Sequence, residues 1–599
     1  MSHYHLDRRD VEFVLFEQLQ LEKLLNLPKY SEYSKEIFDM VLGEAQKIAM
    51  DVLAPMNEPA DKEGCRLEDG QVKIPKIFHD AYEKYKAGGW VAPHAKVEWG
   101  GQGMPVSLYL AATEFFVGAC TSFLFYPGLT ASAAHVVELF GSDLVKKNYV
   151  EKMYSGDWTG TMCLTEAGAG SAVGDLLTSA TPNDDGTYNV VGTKIFISAG
   201  DHDMAENIGH LVLARVKGDP AGIKGISLFL VPKIWVKDDG SLGEANDVTI
   251  PSIEHKMGIN ACSTCVINFG DEGKCRGYLI GKRMKGIVAM FHMMNEARIV
   301  TGAQGMALGN AAYQSALLYA KERVQGTDIS NMKDADAPRV TIDKHPDVKR
   351  MLATMKAYSE GLRALILKSA YLLDMSESID DPVEAARLRG VLELLTPICK
   401  AYCTDKGFKV TELAIQTYGG YGYIREYPVE QYMRDVKIAS LYEGTNGIQA
   451  MDLLGRKLPM KNGMVFMNFL GVIGDFIDAN KAHPVLGGAV LLLEKAKNKL
   501  GEVSYGFAMS GQSDPDYPML HAVNFLEMMG NVVVGHLLIE GGIIAAGKLP
   551  DAKEGSSDAV YYSNKVKTAQ FFATNILPGN DALAAAIVSK DRSALEIEF

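Results

Sequence analysis

A chain of 599 residues with 60 Lys and Arg against 74 Asp and Glu carries a formal net charge of −14, which works against nonspecific attraction to nucleic acid or to an anionic membrane. Apolar residues at 47% and charged residues at 22% supply cores for roughly three to five units of about 100–200 residues, and they exclude a disordered chain. The eight cysteines are few and scattered, which excludes a disulfide-stapled module and suits a reducing compartment, so a cytoplasmic location is expected.

At the start of the chain, Asp7, Arg8, Arg9 and Asp10 stand where a signal peptide needs its apolar segment, so secretion is not expected. Residues 1–34 read as a leader helix. Helical periodicity over residues 31–59, 75–87 and 105–118, with Gly and Pro between them, predicts an all-helical domain at 35–157. The texture then changes to short β-branched runs at 189–197, 209–216, 226–231 and 262–269, with the turn signal Asn183-Asp184-Asp185-Gly186 among them. This predicts a small β domain at 158–282. Ile287, Met290, Phe291 and Met294 return to i, i+3, i+4, i+7 spacing, and helices are expected through a bundle at 283–455. A further helical domain at 456–599 has breaks near His483-Pro484, residues 513–518 and Leu549-Pro550. The most apolar window, 531–549, is interrupted by His536, Glu540, Gly541 and Gly542, so it reads as a buried helix, and no integral membrane segment is expected. The fold class is α+β, multidomain.

Three glycine-containing stretches invite a nucleotide-binding reading: Gly100-Gly101-Gln102-Gly103, Gly168-Ala169-Gly170 and Gly419-Gly420-Tyr421-Gly422. Singly, each reads as a tight turn. The second fails the dinucleotide fingerprint, because its glycines fall at 168, 170 and 174 and it leads into β texture rather than a βαβ unit. Cys262-Ser263-Thr264-Cys265 lacks a second pair and reads as a strand, so no metal is expected. On the helix that begins near Ile287, Arg298 falls about 20° off the apolar stripe at 100° per residue, so a guanidinium points to the core side and needs a partner. Glu296 lies about 200° from Arg298 and faces away from it.

In order along the chain, Leu164-Thr165-Glu166-Ala167-Gly168-Ala169-Gly170-Ser171, Gly192-Thr193-Lys194-Ile195-Phe196-Ile197-Ser198, Lys256-Met257-Gly258, Glu322-Arg323-Val324-Gln325, Gln416-Thr417-Tyr418-Gly419-Gly420 and Tyr442-Glu443-Gly444-Thr445 resemble the acyl-CoA dehydrogenase family over about residues 35–455. The length, the leader and the extra C-terminal domain look most like the long branch that includes 3-methylmercaptopropionyl-CoA dehydrogenases. The resemblance implies a helical domain, a β domain and a helical bundle around FAD, followed here by the appended helical domain. It implies removal of hydrogen across C2 and C3 of an acyl-CoA thioester, with electrons passed to an electron-transferring flavoprotein.

The same resemblance assigns Glu443 as the base, which otherwise reads as a surface acid near a helix N-terminus, and places Arg298 beside it and the acyl-CoA. Leu164, Thr165, Phe196 and Ser198 would meet the flavin. Arg323, Gln416, Gly419 and Gly420, with Thr445, would hold the rest of FAD across a subunit boundary, and this implies a homodimer whose appended domain takes the place of a second dimer. Ser171, Asn295, Arg298 and Gly444 are matched to substrate contacts. After Gln325 the chain has Gly326-Thr327 where relatives have Phe-Gly, followed by a polar stretch to Lys344. Rival readings are a flavin-dependent acyl-CoA oxidase and a non-catalytic or nucleic-acid-binding relative of the fold; the acidic net charge opposes the last.

Overall fold

The computed structural model describes residues 4–510 and 514–599, the side chains of His292, Met293, Asn295 and Ser510 excepted. Two compact units divide the chain: Met40–Pro105 with Phe115–Ala297, and the segment before Met40 with Val106–Glu114 and Arg298–Phe599.

The leader differs from the expected single helix. Arg8–Glu12 is α-helical, but Gln20 takes a left-handed φ of +54° and the chain continues as the short 3-10 turns Leu21–Asn26 and Pro28–Tyr30. The helices that follow are α1 (Lys35–Ile48) and the long α2 (Val106–Phe140). A helix also runs over Ile77–Ala87. The stretch expected to be all-helical contains a hairpin, Arg66–Glu68 against Gln71–Lys73. Its turn is Asp69-Gly70, both at positive φ (+50° and +76°), the two-residue turn that matches strand twist. α2 carries Pro127 and bends at Cys120, whose φ, ψ of −158°, 87° break the helical run.

The β region supplies strands β1 (Trp158–Cys163), β2 (Ser179–Pro182), β3 (Tyr188–Ser198), β4 (Asn207–Val216), β5 (Ile226–Pro232), β6 (Val248–Ile253), β7 (Thr264–Phe269) and β8 (Arg276–Ile280). They form one eight-stranded sheet in the order β6-β7-β3-β8-β5-β4-β1, with β2 on β3 and β4. The turn at 183–186 joins β2 to β3, and Asp185 accepts from the Thr187 N–H at 3.0 Å. All of β4 except Arg215 is buried, and so is all of β5. Leu211, Leu213, Leu228 and Leu230 pack with Trp158 and Tyr149 in the unit's core. All eight cysteines are free thiols.

The second unit holds most of α3 (Gly286–Glu322), then α4 (Pro346–Ser376), α5 (Pro382–Tyr418), α6 (Val429–Lys437), α7 (Asn446–Asp452), α8 (Met464–Asn480), α9 (Gly487–Ser510), α10 (Ala522–Lys548), α11 (Ser557–Asn575) and α12 (Gly579–Val588). Of the expected break at 513–518, residue 513 lies outside the described residues; Asp516–Leu520 is a short helix. The late helices seat directly on the bundle. A Cβ added at Gly530 on α10 would lie 2.1 Å from the Tyr402 ring of α5, so only glycine permits that approach.

Among the described residues, Val106–Phe140 and Ala522–Asp551 are two of three helices long and apolar enough to cross a membrane, and their apolar windows are 94% and 56% buried inside the protein. Within α10, His536 packs edge-on against Phe476 at 4.6 Å and Glu540 accepts from Gln18 at 2.8 Å.

A buried ion network ties this unit together. Arg363 of α4, fully buried, donates to Glu114 of α2 at 2.9 Å and pairs with Asp10 of the leader. Lys565 of α11 meets Asp10 and Glu360, each at 2.9 Å. Burial by itself raises the Asp10 carboxyl, yet Lys565 and Arg363 outweigh it and hold the group below the usual carboxylate range. Arg363→Met would leave Glu114 buried without a cation and Asp10 with Lys565 alone. It should lower unfolding stability by about 3–5 kcal/mol in urea titrations, and an unchanged midpoint would contradict this account.

Candidate active site

In the first unit the chain leaves β1 through Leu164-Thr165-Glu166. The turn is welded to β3 by a buried ion pair: Lys194, fully buried, donates to Glu166 at 2.7 Å and to the Leu164 carbonyl at 3.1 Å. Glu166 also accepts from the N–H groups of Leu177 (2.6 Å) and Thr178 (3.0 Å). Burial favours the neutral acid, but Lys194 and these donors win and lower its pKa. The Thr165 carbonyl accepts from Ile195 N–H at 2.9 Å, so the turn runs alongside the following residue, Phe196.

Phe196 lies where β3 carries an extra residue against β7. Ile197 pairs with Cys265 and Lys194 with Ile267, so three residues of β3 span two of β7. That bulge holds Phe196 at φ +59° and turns its ring outward, 60% exposed. Such a conformation is costly for a bulky residue and marks a side chain aimed at something outside the strand. Ser198 follows, partly buried, paired with Thr264. Ser171 is an exposed bend residue.

In the second unit the focus is the corner before α7. Glu443 sits at φ +57° and Gly444 at +83°. A Cβ on Gly444 would meet Gln449 Nε2 at 2.7 Å. The Thr445 hydroxyl caps α7 by accepting from Ile448 N–H at 3.2 Å, and Gln449 Nε2 donates to the Glu443 carbonyl at 3.3 Å. Tyr442 donates to Gln304 of α3. None of the described hydrogen bonds uses the Glu443 backbone N–H. Glu443 is partly accessible, and the protein packed around its carboxyl raises the pKa, opposed by the charges of Arg298 and Lys400.

Arg298 is buried, as the helical count requires, and its partner is Asp452 at the end of α7, 3.3 Å away. Asp452 also pairs with Arg456. Glu296 instead meets His135 at 3.1 Å within the first unit. The Asn295 side chain lies outside the described residues.

Arg323, Gln416, Gly419 and Gly420 do converge. Together with Tyr319 and Tyr421 they line an open cavity of about 510 Å³. Nothing lies within 4 Å of a Cβ placed on Gly419 or Gly420, and Gly419 has φ +63°. Arg323 lies over the Tyr421 ring at 5.5 Å, and Tyr319 stacks on Tyr418 at 4.1 Å. A cation, an amide, bare backbone and flat aromatic faces form a donor set that fits a diphosphate with an attached heterocycle. The polar stretch after Gln325 folds as a hairpin, Val324–Thr327 against Arg339–Thr341, tied down by His345 to the Gln325 carbonyl at 2.7 Å.

Leu164, Thr165, Phe196, Ser198 and Ser171 thus belong to one unit, and Arg298, Arg323, Gln416, Gly419, Gly420, Glu443, Gly444 and Thr445 to the other. Residue-by-residue reading missed Lys194 and Glu166, which fix the turn, Lys400, whose charge acts on Glu443, and Asp452, which pairs with Arg298. Their signal was a lysine or an acid inside an apolar run, as in Leu394-Leu395-Thr396-Pro397-Ile398-Cys399-Lys400.

Comparison with known proteins matches successive segments of the chain. Family models described as acyl-CoA dehydrogenase N-terminal, middle and C-terminal domains match residues 36–157, 161–271 and 284–458, and one described as acetyl-CoA dehydrogenase C-terminal like matches 469–598. A butyryl-CoA dehydrogenase of Syntrophomonas wolfei is 37% identical, covering 100% of this chain and 99% of its own. A 3-methylmercaptopropionyl-CoA dehydrogenase of Ruegeria pomeroyi is 37% identical over 96% of both. An acyl-CoA dehydrogenase of Bacillus anthracis solved with FAD superposes with a TM-score of 0.75 at 19% identity, covering 94% of this chain and 90% of that one.

Phe196→Gly removes the ring and relieves the left-handed strain together. Thermal unfolding of the FAD-free protein should then change by no more than about 1 kcal/mol, while affinity for FAD falls roughly tenfold through lost ring stacking. Unaltered FAD affinity in a titration would show that the exposed ring has another purpose.

Proposed function

The chain belongs to the acyl-CoA dehydrogenase family, an FAD-dependent oxidoreductase acting on acyl-CoA thioesters, and on that premise we propose that it desaturates a short linear acyl-CoA with Glu443 as the base and an electron-transferring flavoprotein as acceptor. The observation that carries the reading is the Glu443 corner: a carboxylate with a raised pKa, partly accessible, at a left-handed turn beside two cations. Short acyl groups are supported by full-length relatives whose names specify butyryl and 3-methylmercaptopropionyl thioesters, and a further full-length relative is named a broad-specificity linear acyl-CoA dehydrogenase.

The C2 proton of a thioester is a poor acid, so its removal requires both a base and stabilisation of the carbonyl oxygen on which charge develops. Glu443 provides the base. Its backbone N–H is free of internal acceptors among the described residues and is offered to that oxygen. Water excluded by a bound acyl chain would raise the carboxylate's proton affinity further, towards that of a useful base. The charges of Arg298 and Lys400 oppose the rise in proton affinity that burial imposes on the carboxyl. Arg323, Gln416 and the Gly419-Gly420 backbone would hold the diphosphate end of FAD, and Thr165, Phe196 and Ser198 its ring. FAD held there would supply the acceptor for the C3 hydrogen, which leaves as hydride. The cavity at Arg323 is open to its surroundings, which suits sharing a cofactor within a homodimer; light scattering of the FAD-loaded protein should give twice the chain mass.

Anaerobic mixing with a panel of CoA thioesters should bleach the flavin fastest with butyryl-CoA and at least roughly tenfold more slowly with dodecanoyl-CoA; the reverse order would overturn the short-chain assignment. Glu443→Gln should keep FAD and slow bleaching by at least about 100-fold. Because the base works only when ionised and its pKa is raised, kcat/KM should climb with pH through an acid limb above the usual carboxylate value near 4.3. Oxygen uptake matching turnover, in place of flavoprotein reduction, would make the enzyme an oxidase.

A further inference from the structure

Lys400 is a buried charge that the mechanism above does not use. It lies on α5 with none of its surface exposed, in a helix interior otherwise filled by Ile398, Cys399, Ala401, Tyr402 and Cys403. Its ammonium donates to Asn446 Oδ1 at 2.8 Å. Asn446 is the first residue of α7, three positions after Glu443. The same amide donates from Nδ2 to Asp405 at 2.7 Å, to Thr404 Oγ1 at 3.0 Å and to the Ala401 carbonyl at 3.2 Å. The corner that presents Glu443 is therefore fastened to α5 through one side chain, and Lys400 occupies the inner end of that fastening.

A lysine out of water needs its charge answered. Its hydrogen-bond partner is a neutral amide, so the answer comes across space from Glu443, with a second contribution from Asp405, and against Arg298. Arg298 is satisfied differently, by direct pairing with Asp452, which Arg456 shares. The groups facing Glu443 are thus Arg298 from α3 and Lys400 from α5, with Asp452, Arg456 and Asp405 behind them.

We propose that Lys400 is a positioning residue for Glu443: seated against α7 through Asn446, its ammonium keeps the Glu443 carboxylate ionised and the corner that carries it in place. This rests on the reading of Glu443 as the base. Two effects compete on Lys400 itself. Burial lowers its pKa, Glu443 and Asp405 raise it, and the outcome is about 7, so below that pH the lysine is charged and lowers the carboxylate's proton affinity.

The test uses the FAD-loaded enzyme with butyryl-CoA and measures kcat/KM from pH 5 to 9 for Lys400→Met, Asn446→Ala and Glu443→Gln. Removing the cation should move the acid limb of Lys400→Met upward by about one pH unit or more, a roughly tenfold loss at low pH that is recovered at high pH. Asn446→Ala, at a partly accessible position, should move the limb in the same direction by less, because the ammonium loses its acceptor. A second readout is independent of turnover: in protein labelled with 13C at glutamate carboxyls, the signal absent from Glu443→Gln should titrate at higher pH in both other variants. If Lys400→Met slows the reaction equally at every pH, or if both limb and carboxyl titration stay put, the proposal is overturned. Should Lys400→Met not fold, an unmoved limb and signal in Asn446→Ala overturn it equally. Full activity in Glu443→Gln would instead remove the base assignment and leave the packing of Lys400 unaffected.

Discussion

Charge taken out of water is the constraint on which the helical unit depends. Arg363 has no exposed surface and answers to Glu114 and Asp10, which lie hundreds of residues away in sequence. Lys565, from a helix near the C-terminus, completes the set with Asp10 and Glu360. A buried ion without its partner costs several kcal/mol, so the leader, the first turns of α2, α4 and α11 have one arrangement that satisfies all of them. Asp374 repeats the device by accepting from the Val106 and Ser107 N–H groups at 2.7 and 2.9 Å, which caps α2 with a side chain from α4, while Tyr30 of the leader donates to the same carboxylate. The appended helices are consequently part of the same body as the bundle, joined by ions as well as by close glycine contacts.

The candidate site uses this logic with one term left open. Lys194 and Glu166 are tied to each other and to neighbouring backbone groups, and the turn they fix is structural. Arg298 pairs with Asp452, which Arg456 shares. Among the described residues Glu443 feels the charges of Arg298 and Lys400 without a direct ion pair to either, which is the arrangement expected of a carboxylate that must gain and lose a proton. Backbone strain marks the same places. Phe196 and Glu443 both hold left-handed conformations that L-residues avoid, one produced by an extra residue in a strand and the other by a corner fastened to a neighbouring helix.

The β region was legible because its β-branched runs and turn residues are local signals, and Arg298 because a helical count needs only its own helix. The hairpin at Arg66–Lys73 was also local, in Asp69-Gly70, but two three-residue strands are too short for a periodic pattern. The leader broke because Gln20 turns left-handed, which no glycine announced. Glu443 was visible only through family resemblance, since on its own it reads as a helix-end acid. Lys400 and Asn446 were invisible as a pair, because their contact joins α5 to α7 across 46 positions and no periodicity reports what a buried lysine meets.

The central claim is that Glu443 removes the C2 proton, and it is tested most directly by separating proton removal from redox chemistry. An acyl-CoA analogue with sulfur in place of C3 offers no hydride but retains acidic C2 hydrogens. Incubated with the FAD-loaded enzyme in D2O and followed by mass spectrometry, it should gain deuterium at C2 with the wild-type protein and at no more than a background rate with Glu443→Gln. Equal exchange by both proteins would contradict the account.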